Sequence, residues 1–260
     1  MCRVFDDPAD FRAQAVEFLA DGLARGCRVR YLGEGDVDTL RAEVAPLLQR
    51  AHRPGAVQVL SMAGMHTASR GVDAAAHVAM YAADTQAALA DGFAGLRVAA
   101  DSTGLVRTPE QLDAFARYEH RADRLMTTVP FSGLCGFRRS ELGDAAVAEL
   151  ACLHAAGGAD HAPFRVHATR SADLAVSGEL DLTTVDLFAT TMERVGLHDA
   201  PEEVVVDATG LAFADHRNLL VLEQMARRHD RSVLLRTGRR WPEVLIAALE
   251  LRRVRAERVA

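Results

Sequence analysis

Apolar positions in the first 150 residues alternate between two spacings. Phe11, Ala15, Phe18, Leu19 and Leu23 recur at helical intervals over 9–24, and Gly26 stops the run. CRVRYLG then reads as a short strand. A second helix is predicted over 36–50, ending before Pro54-Gly55, and VQVLSM (57–62) as another strand. The Ala-rich stretch 73–91 predicts a long helix, and GLRVAAD (95–101) a strand that ends in an acid. Thr108-Pro109-Glu110-Gln111 is a helix start: Thr caps, Pro takes the first helical position and Gln111 completes a capping box. That helix runs to about Met126, and FSGLCGF (131–137) follows as a buried strand. Strands alternating with helices predict an α/β domain with a mostly parallel sheet.

The small residues and turn formers of AAGGADHAP break the pattern, so domains are predicted at 1–155 and 164–260 with a linker at 156–163. Beyond the break, FRVHA and DLAVSGELD alternate as strands, and Val185, Phe188, Met192 and Val195 mark a helix over 182–196. VVVDATG reads as a strand, LAFADHRNLLVLEQMARRH as a turn running into a helix, SVLLRT as a strand, and Trp241, Val244, Leu245 and Ala248 as a last helix. The order β-β-α-β-α-β-α predicts a smaller α/β domain with a mixed sheet. The Arg-rich LRRVRAERV reads as a solvated helix end, with nucleic-acid contact as the alternative.

Composition narrows the chemistry. A chain of 260 residues, 49% apolar and 25% charged, suits two modest globular domains. Its net charge of −6 carries no basic nucleic-acid footprint. All 30 basic residues are arginine, which excludes a Walker-type phosphate-loop lysine, a Schiff base and a lysine general base. No run of 18 apolar residues predicts a membrane span, and MCRVFDDPADF lacks a signal-peptide pattern. Cys2, Cys27, Cys135 and Cys152 stand far apart without a CxxC, as reduced thiols do, so the cytoplasm is the expected location.

The helix from Pro109 carries the most informative local signal. Glu119 falls in the middle of its apolar stripe of Leu112, Phe115, Ala116, Ala122 and Met126, with Asp123 one turn on. A buried acid is costly unless paired, hydrogen-bonded or neutralised. Glu119 therefore either pairs with a buried arginine such as Arg97 or lines a cavity and contacts a ligand. Asp101 ends a strand, where ligands of open α/β sheets bind, though an acid also commonly starts a turn there. Cys135 sits in an apolar strand, and Cys152 and His154 form a C-x-H pair that Cys135 could join as metal ligands, outside any recognised zinc spacing. Gly33-Glu34-Gly35 lacks a third glycine and puts acids where phosphates would sit, so no cofactor loop is predicted.

DDPADFRAQAVEFLADGLARGCRVRYLGEGD, GLRVAADSTGLVRTPEQLDAFARYEHRADRLM and PFSGLCGFRRSELG with LACLH resemble the MEDS (methanogen/methylotroph sensory) domain over roughly 1–155. The resemblance implies a RecA/circadian-ATPase-like fold without a phosphate loop, sensing a small, hydrocarbon-like ligand. Asp101, Tyr118, Glu119, Cys135 and His154 fall in the matching blocks as candidate ligand contacts. Many members carry a His just before the first strand, where this chain has Met1-Cys2. AVSGELDLTTVDLF, EEVVVDATGLAFADHRNLLVL and SVLLRTG resemble a STAS domain, the fold of anti-sigma-factor antagonists, over roughly 163–255. Switchable members open the helix after the strand with Asp-Ser-Ser-Gly and are switched by serine phosphorylation. Here the block reads Asp215-His216-Arg217-Asn218, which has no hydroxyl and carries a positive charge instead. Asp181 of GELD would lie near that helix start, as a structural group or in an ion pair with Arg217.

The expectation is a signalling protein that is not an enzyme. Its first domain would sense a small, apolar ligand. Its second would bind an anti-sigma factor or another STAS protein without a phosphorylation switch, and a homo-oligomer is compatible with the sequence. Direct nucleic-acid and membrane partners are not expected. The alternatives are a small enzyme or metal protein using Asp101/Glu119 or Cys135/His154, and a ligand-free interaction scaffold.

Overall fold

The computed structural model of the chain describes residues 1–62, 71–157, 162–196 and 201–259. They form two compact units, Met1–Ala148 with Ala156–Gly158 and Glu149–Ala155 with Ala159–Ala260. Residues 158–161 of the expected linker lie outside the described residues.

In the first unit, β1 (Cys2–Phe5), β2 (Arg28–Gly33), β3 (Val57–Ser61), β4 (Leu96–Asp101) and β5 (Phe131–Arg138) form one sheet in the order β1-β5-β4-β2-β3. Every pairing is parallel, as the alternation of strands and helices predicts. Helices α1 (Pro8–Ala24), α2 (Val37–Glu43), α3 (Ala45–Arg50), α4 (Ala74–Ala90) and α5 (Pro109–Thr128) connect them, and α6 (Arg139–Ala151) is interrupted at Gly143. The capping box at α5 forms as read, with Thr108 accepting from the Gln111 N–H at 3.2 Å.

Both sheet faces are buried, so the two-residue pleat sorts the strand side chains. Val29 and Tyr31 of β2, Ala99 of β4 and Leu134 of β5 pack with Phe11, Ala15 and Leu19 of α1 and Leu40 and Leu47 of α2 and α3. Leu32 of β2, Leu96 and Val98 of β4 and Phe131 of β5 pack instead with Tyr81 of α4 and with Tyr118 and Leu125 of α5. Arg97, between two residues of the second set, therefore faces α1. Its Nη1 donates to the Phe18 carbonyl at 2.9 Å and to Asp21 at 2.5 Å, and its guanidinium stacks on the Phe18 ring.

Two local expectations are corrected here. The helix over 36–50 is two helices, broken at Val44 (φ −107°, ψ 22°). Pro46 lacks an N–H and its ring would clash with the carbonyl of residue 42 in a continuous helix. The N-terminal CRVF, left out of the predicted elements, is the edge strand β1 beside β5, with Cys2 opposite Cys135.

In the second unit β6 (Phe164–His167), β7 (Leu174–Leu180), β8 (Glu203–Asp207), β10 (Ser232–Thr237) and β11 (Val254–Arg258) lie in the order β11-β10-β8-β7-β6, with β9 (Leu211–Ala214) against β7. Only β6 and β7 pair antiparallel among the described strands, so the sheet is mixed, as predicted. Helices α7 (Val185–Val195), α8 (His216–Arg228) and α9 (Trp241–Ala248) complete it. LAFA, read as a turn, is β9. The segment read as a solvated helix end is β11, parallel to β10, with Val254 buried. Its charged residues pair across the sheet: Arg255 with Glu203 at 2.6 Å, and Glu257 with Arg236 of β10 at 3.0 Å.

Glu223 of α8, 4% exposed, anchors the approach to β11. Its carboxylate accepts from the backbone N–H of Arg253 at 2.8 Å and of Arg252 at 3.3 Å, and from Arg227 Nε at 2.7 Å. Hydrogen bonds to a buried charge contribute about 1.5–3 kcal/mol each, and losing the acceptor strands buried donors. Glu223→Ala should lower the unfolding free energy by about 3 kcal/mol in a urea titration. Arg227→Ala, which removes only the solvent-side partner, should cost under about 1 kcal/mol.

His120 of α5 is buried, and burial, then Arg124 and Arg121, push its pKa down to about 4. The unfolded chain thus binds this proton more readily than the folded one between about pH 6.5 and 4, so stability is full above that window and falls through it with acid. The loss reaches about 3 kcal/mol at its acid end. Denaturant unfolding at pH 7 and pH 5 should show a steeper acid loss for the wild-type chain than for His120→Gln.

Candidate functional site

The first unit holds a cavity of about 50 Å³ between the sheet and the pair α4 and α5. Its floor is Leu32 of β2, Val98 and Ala100 of β4, and Phe131, Gly133 and Cys135 of β5. Its roof is His77 and Tyr81 of α4 and Phe115 and Tyr118 of α5. Met62, Ser102 and Leu105 line it beyond the strand ends, where ligands of open α/β sheets bind. That volume has room for a few waters or an organic molecule of a few heavy atoms.

Gly133 makes part of this space. A Cβ at Gly133 would meet no atom within 4 Å, whereas one at Gly136 would collide with the Phe11 ring at 2.5 Å. The two glycines lie on opposite faces of β5, one beside a void and one beneath a packed helix.

Aromatic rings form the cavity's rigid side. Tyr81 stacks on Phe131 at 5.0 Å, and Tyr118 meets Phe115 at 5.4 Å and the His77 ring edge-on at 5.9 Å. The Tyr81 and Tyr118 rings face each other at 6.5 Å. Burial pushes Tyr81 up to about 12 and Tyr118 well above its ordinary value, so both phenols stay protonated.

Of the four candidate ligand contacts in the first unit, the structure brings Tyr118, Glu119 and Cys135 together. Glu119 is 4% exposed, and the Cys135 thiol donates to its Oε1 at 3.2 Å. Burial first, and the Glu119 charge second, push the Cys135 thiol well above its ordinary pKa. The expected pairing of Glu119 with Arg97 is thereby corrected: the pleat turns Arg97 to the α1 face, where it holds Asp21.

Asp101 shares Arg97's parity and lies on the α1 face, away from the cavity. Its Oδ1 accepts from the Thr103 N–H at 3.1 Å and hydroxyl at 2.6 Å, the turn-starting arrangement, and Arg138 lies 3.7 Å away. Burial pushes its carboxyl up against those hydrogen bonds. His154 falls in the second unit, buried, with Nδ1 2.9 Å from the Leu150 carbonyl and its own carbonyl accepting from Arg165 at 2.9 Å. Its neighbour Cys152 is buried and pushed up to about 12, an inert thiol at neutral pH.

In the second unit the candidate residues gather at the start of α8. Asp215 caps it, accepting from the Arg217 N–H at 2.9 Å, and His216 Nδ1 lies 3.2 Å from the same carboxylate. Asn218 is fully buried, and its Nδ2 donates to the Leu180 carbonyl at 2.9 Å and the Asp181 carbonyl at 3.0 Å. It thus ties α8 to the end of β7. The ion pair expected between Asp181 and Arg217 does not form. Asp181 turns back on its own chain, accepting from the Thr183 N–H at 2.8 Å, the Thr183 hydroxyl at 2.6 Å and the Thr184 N–H at 3.2 Å. The Thr183 hydroxyl leads in holding its carboxyl below the usual range. Arg217 is exposed, and among the described residues no acid pairs with its side chain. The apolar Leu182 and Phe213, 55% and 50% exposed, stand on the two segments that converge on this helix start.

Sequence reasoning missed two residues. Gly133 read only as a strand glycine, and an open space beside a missing side chain leaves no trace in a pattern. Asn218 read only as the last member of a block without hydroxyls. That it is the chain's single asparagine, beside Leu219 in the first turn of a helix, is the signal that could have found its buried role.

A family model described as the MEthanogen/methylotroph, DcmR Sensory domain (MEDS) matches residues 1–155. No curated protein matches the chain.

Asn218→Ala should lower the unfolding free energy by about 2 kcal/mol, since two buried carbonyls lose their donor. Arg217→Ala at the same turn should leave it within about 0.5 kcal/mol. Parallel urea titrations of the two variants check the contrast.

Proposed function

The chain belongs to the MEDS family of sensory domains, and from that premise we propose that its first unit senses a small, mostly apolar molecule held in the cavity beneath α4 and α5. The observation that carries this reading is the cavity itself, which has apolar and aromatic walls, a small number of polar groups, and a glycine where a side chain would fill it. Binding sites for small molecules are built this way. An acid–base enzyme on Asp101 and Glu119 is disfavoured, because Asp101 turns to the α1 face of the sheet while Glu119 reaches Cys135 from α5 on the other face.

The second unit, in this reading, is a STAS-like module that contacts a regulatory partner, an anti-sigma factor or another STAS protein. The exposed Leu182 and Phe213 beside the exposed Arg217 support a docking face there. The start of α8 has no side-chain hydroxyl to phosphorylate, so the face is constitutive. Ligand binding transmits a signal only if it favours one state of the protein over another.

Gly133→Val tests the cavity. The new side chain enters open space at a position of ordinary strand backbone, so the fold should persist, with a thermal midpoint equal to or above that of the wild type. Xenon, titrated into the full chain and followed by proton NMR, should shift the Tyr81, Tyr118 and Phe131 ring signals of the wild type and leave those of Gly133→Val unmoved. Equal shifts in both, or none in the wild type, would sink the reading.

A further inference from the structure

We propose that the cavity of the first unit captures small aldehydes covalently and reversibly, with the Cys135 thiol adding to the carbonyl carbon. The inference rests on the cavity reading above and adds a chemistry to it.

Four functional groups meet at this site. The Cys135 sulfur lines the cavity, and its thiol already donates to Glu119 Oε1 at 3.2 Å. Tyr81 and Tyr118 line the same space, and each feels the charge that Cys135 or Glu119 would carry. Each phenol brings one O–H donor to this space, where it can serve a carbonyl oxygen. A nucleophile, a carboxyl in contact with it and a hydroxyl donor are the parts that thiol addition to a carbonyl requires.

The step balances within the site. The S–H bond breaks and a C–S bond forms at the carbonyl carbon. The C=O π pair moves to oxygen, and Glu119 takes the thiol proton and returns it to that oxygen. The product is a neutral hemithioacetal. No leaving group departs, and no oxidant or reductant takes part.

The walls select the class of electrophile. An anionic ligand would meet apolar walls with no arginine among the lining residues to balance its charge. An alkyl halide would release a halide ion and a proton into an apolar space, which is costly for the same reason. Aldehyde addition creates no ion. A cavity of about 50 Å³ then limits the aldehyde to a few heavy atoms. Burial holds the resting thiol protonated, so it stays unreactive toward reagents that cannot enter.

The test titrates the full chain with acetaldehyde labelled with carbon-13 at C1, followed by carbon and proton NMR. The chain has no lysine, so no side-chain Schiff base competes for the label. The expected result is a saturable hemithioacetal carbon signal, distinct from the free aldehyde and its hydrate. It should be absent in Cys135→Ala and in Gly133→Val, which keeps the thiol but fills the space, and retained in Cys27→Ala. Glu119→Gln should slow its appearance roughly 100-fold, because a proton-transfer group is removed. The absence of the signal in the wild type, its survival in Cys135→Ala, or an unchanged rate in Glu119→Gln overturns the proposal. The proton spectrum tells the two failures apart. Shifted Tyr81 and Tyr118 rings without a new carbon signal overturn the covalent step and leave the cavity reading standing. Unmoved rings bring both down.

Discussion

The pleat of a sheet buried on both faces governs the first unit. With helices on each side, every strand residue must commit to one of two interiors, and the choice alternates by single positions. Along β4 this sends Val98 and Ala100 toward α4 and α5, and Arg97, Ala99 and Asp101 toward α1. Along β5 it sends Cys135 to the cavity and Leu134 and Gly136 to the packed side. Ion pairs form on both faces, Arg97 with Asp21 under α1 and Arg30 with Asp84 of α4. The Cys135 thiol and the Tyr118 phenol line the cavity under α5, and Glu119 accepts from the thiol there. A strand shifted by one residue would exchange the two sets and leave neither interior workable.

The longest and most periodic elements were legible in the sequence because their patterns repeat over several turns. The amphipathic α5 and its capping box are the clearest case. The strands β1, β9 and β11 were not, because four or five residues hold too few periods to separate a strand from a turn or a helix end. That Glu119 is buried was legible from its place in the apolar stripe. Its partner was not, because Cys135 is sixteen positions away on another element and only the pleat of β5 decides which way it faces. The proposed Asp181–Arg217 pair failed for the opposite reason. A contact two residues along the chain, Thr183, satisfies the carboxylate locally, and little is left for a solvated arginine to offer it.

The start of α8 is held by polar groups of its own surroundings. Asp215 caps the helix, and the turn after Asp181 brings β7 against it. The buried amide of Asn218 spends both its N–H groups on carbonyls of that turn. A group so engaged fixes the geometry of the face around it and cannot change its own charge near neutral pH. The apolar Leu182 and Phe213 are presented on a support that is rigid by construction.

The hold of Glu223 on the backbone of Arg252 and Arg253 sets an order of events during synthesis. Domains form from the N-terminus as the ribosome releases them. The five strands of the first sheet end with β5, and only the Cys2–Gly157 bridge is added after it, so that sheet can close early. The second cannot. Until the last few residues before β11 emerge, α8 carries a carboxylate at a site that is dry in the finished unit, and β10 has an open edge where β11 belongs. The nascent second unit therefore waits, partly assembled, for β11. A ribosome stalled before β11 emerges would leave a folded first unit attached to an unfinished second one.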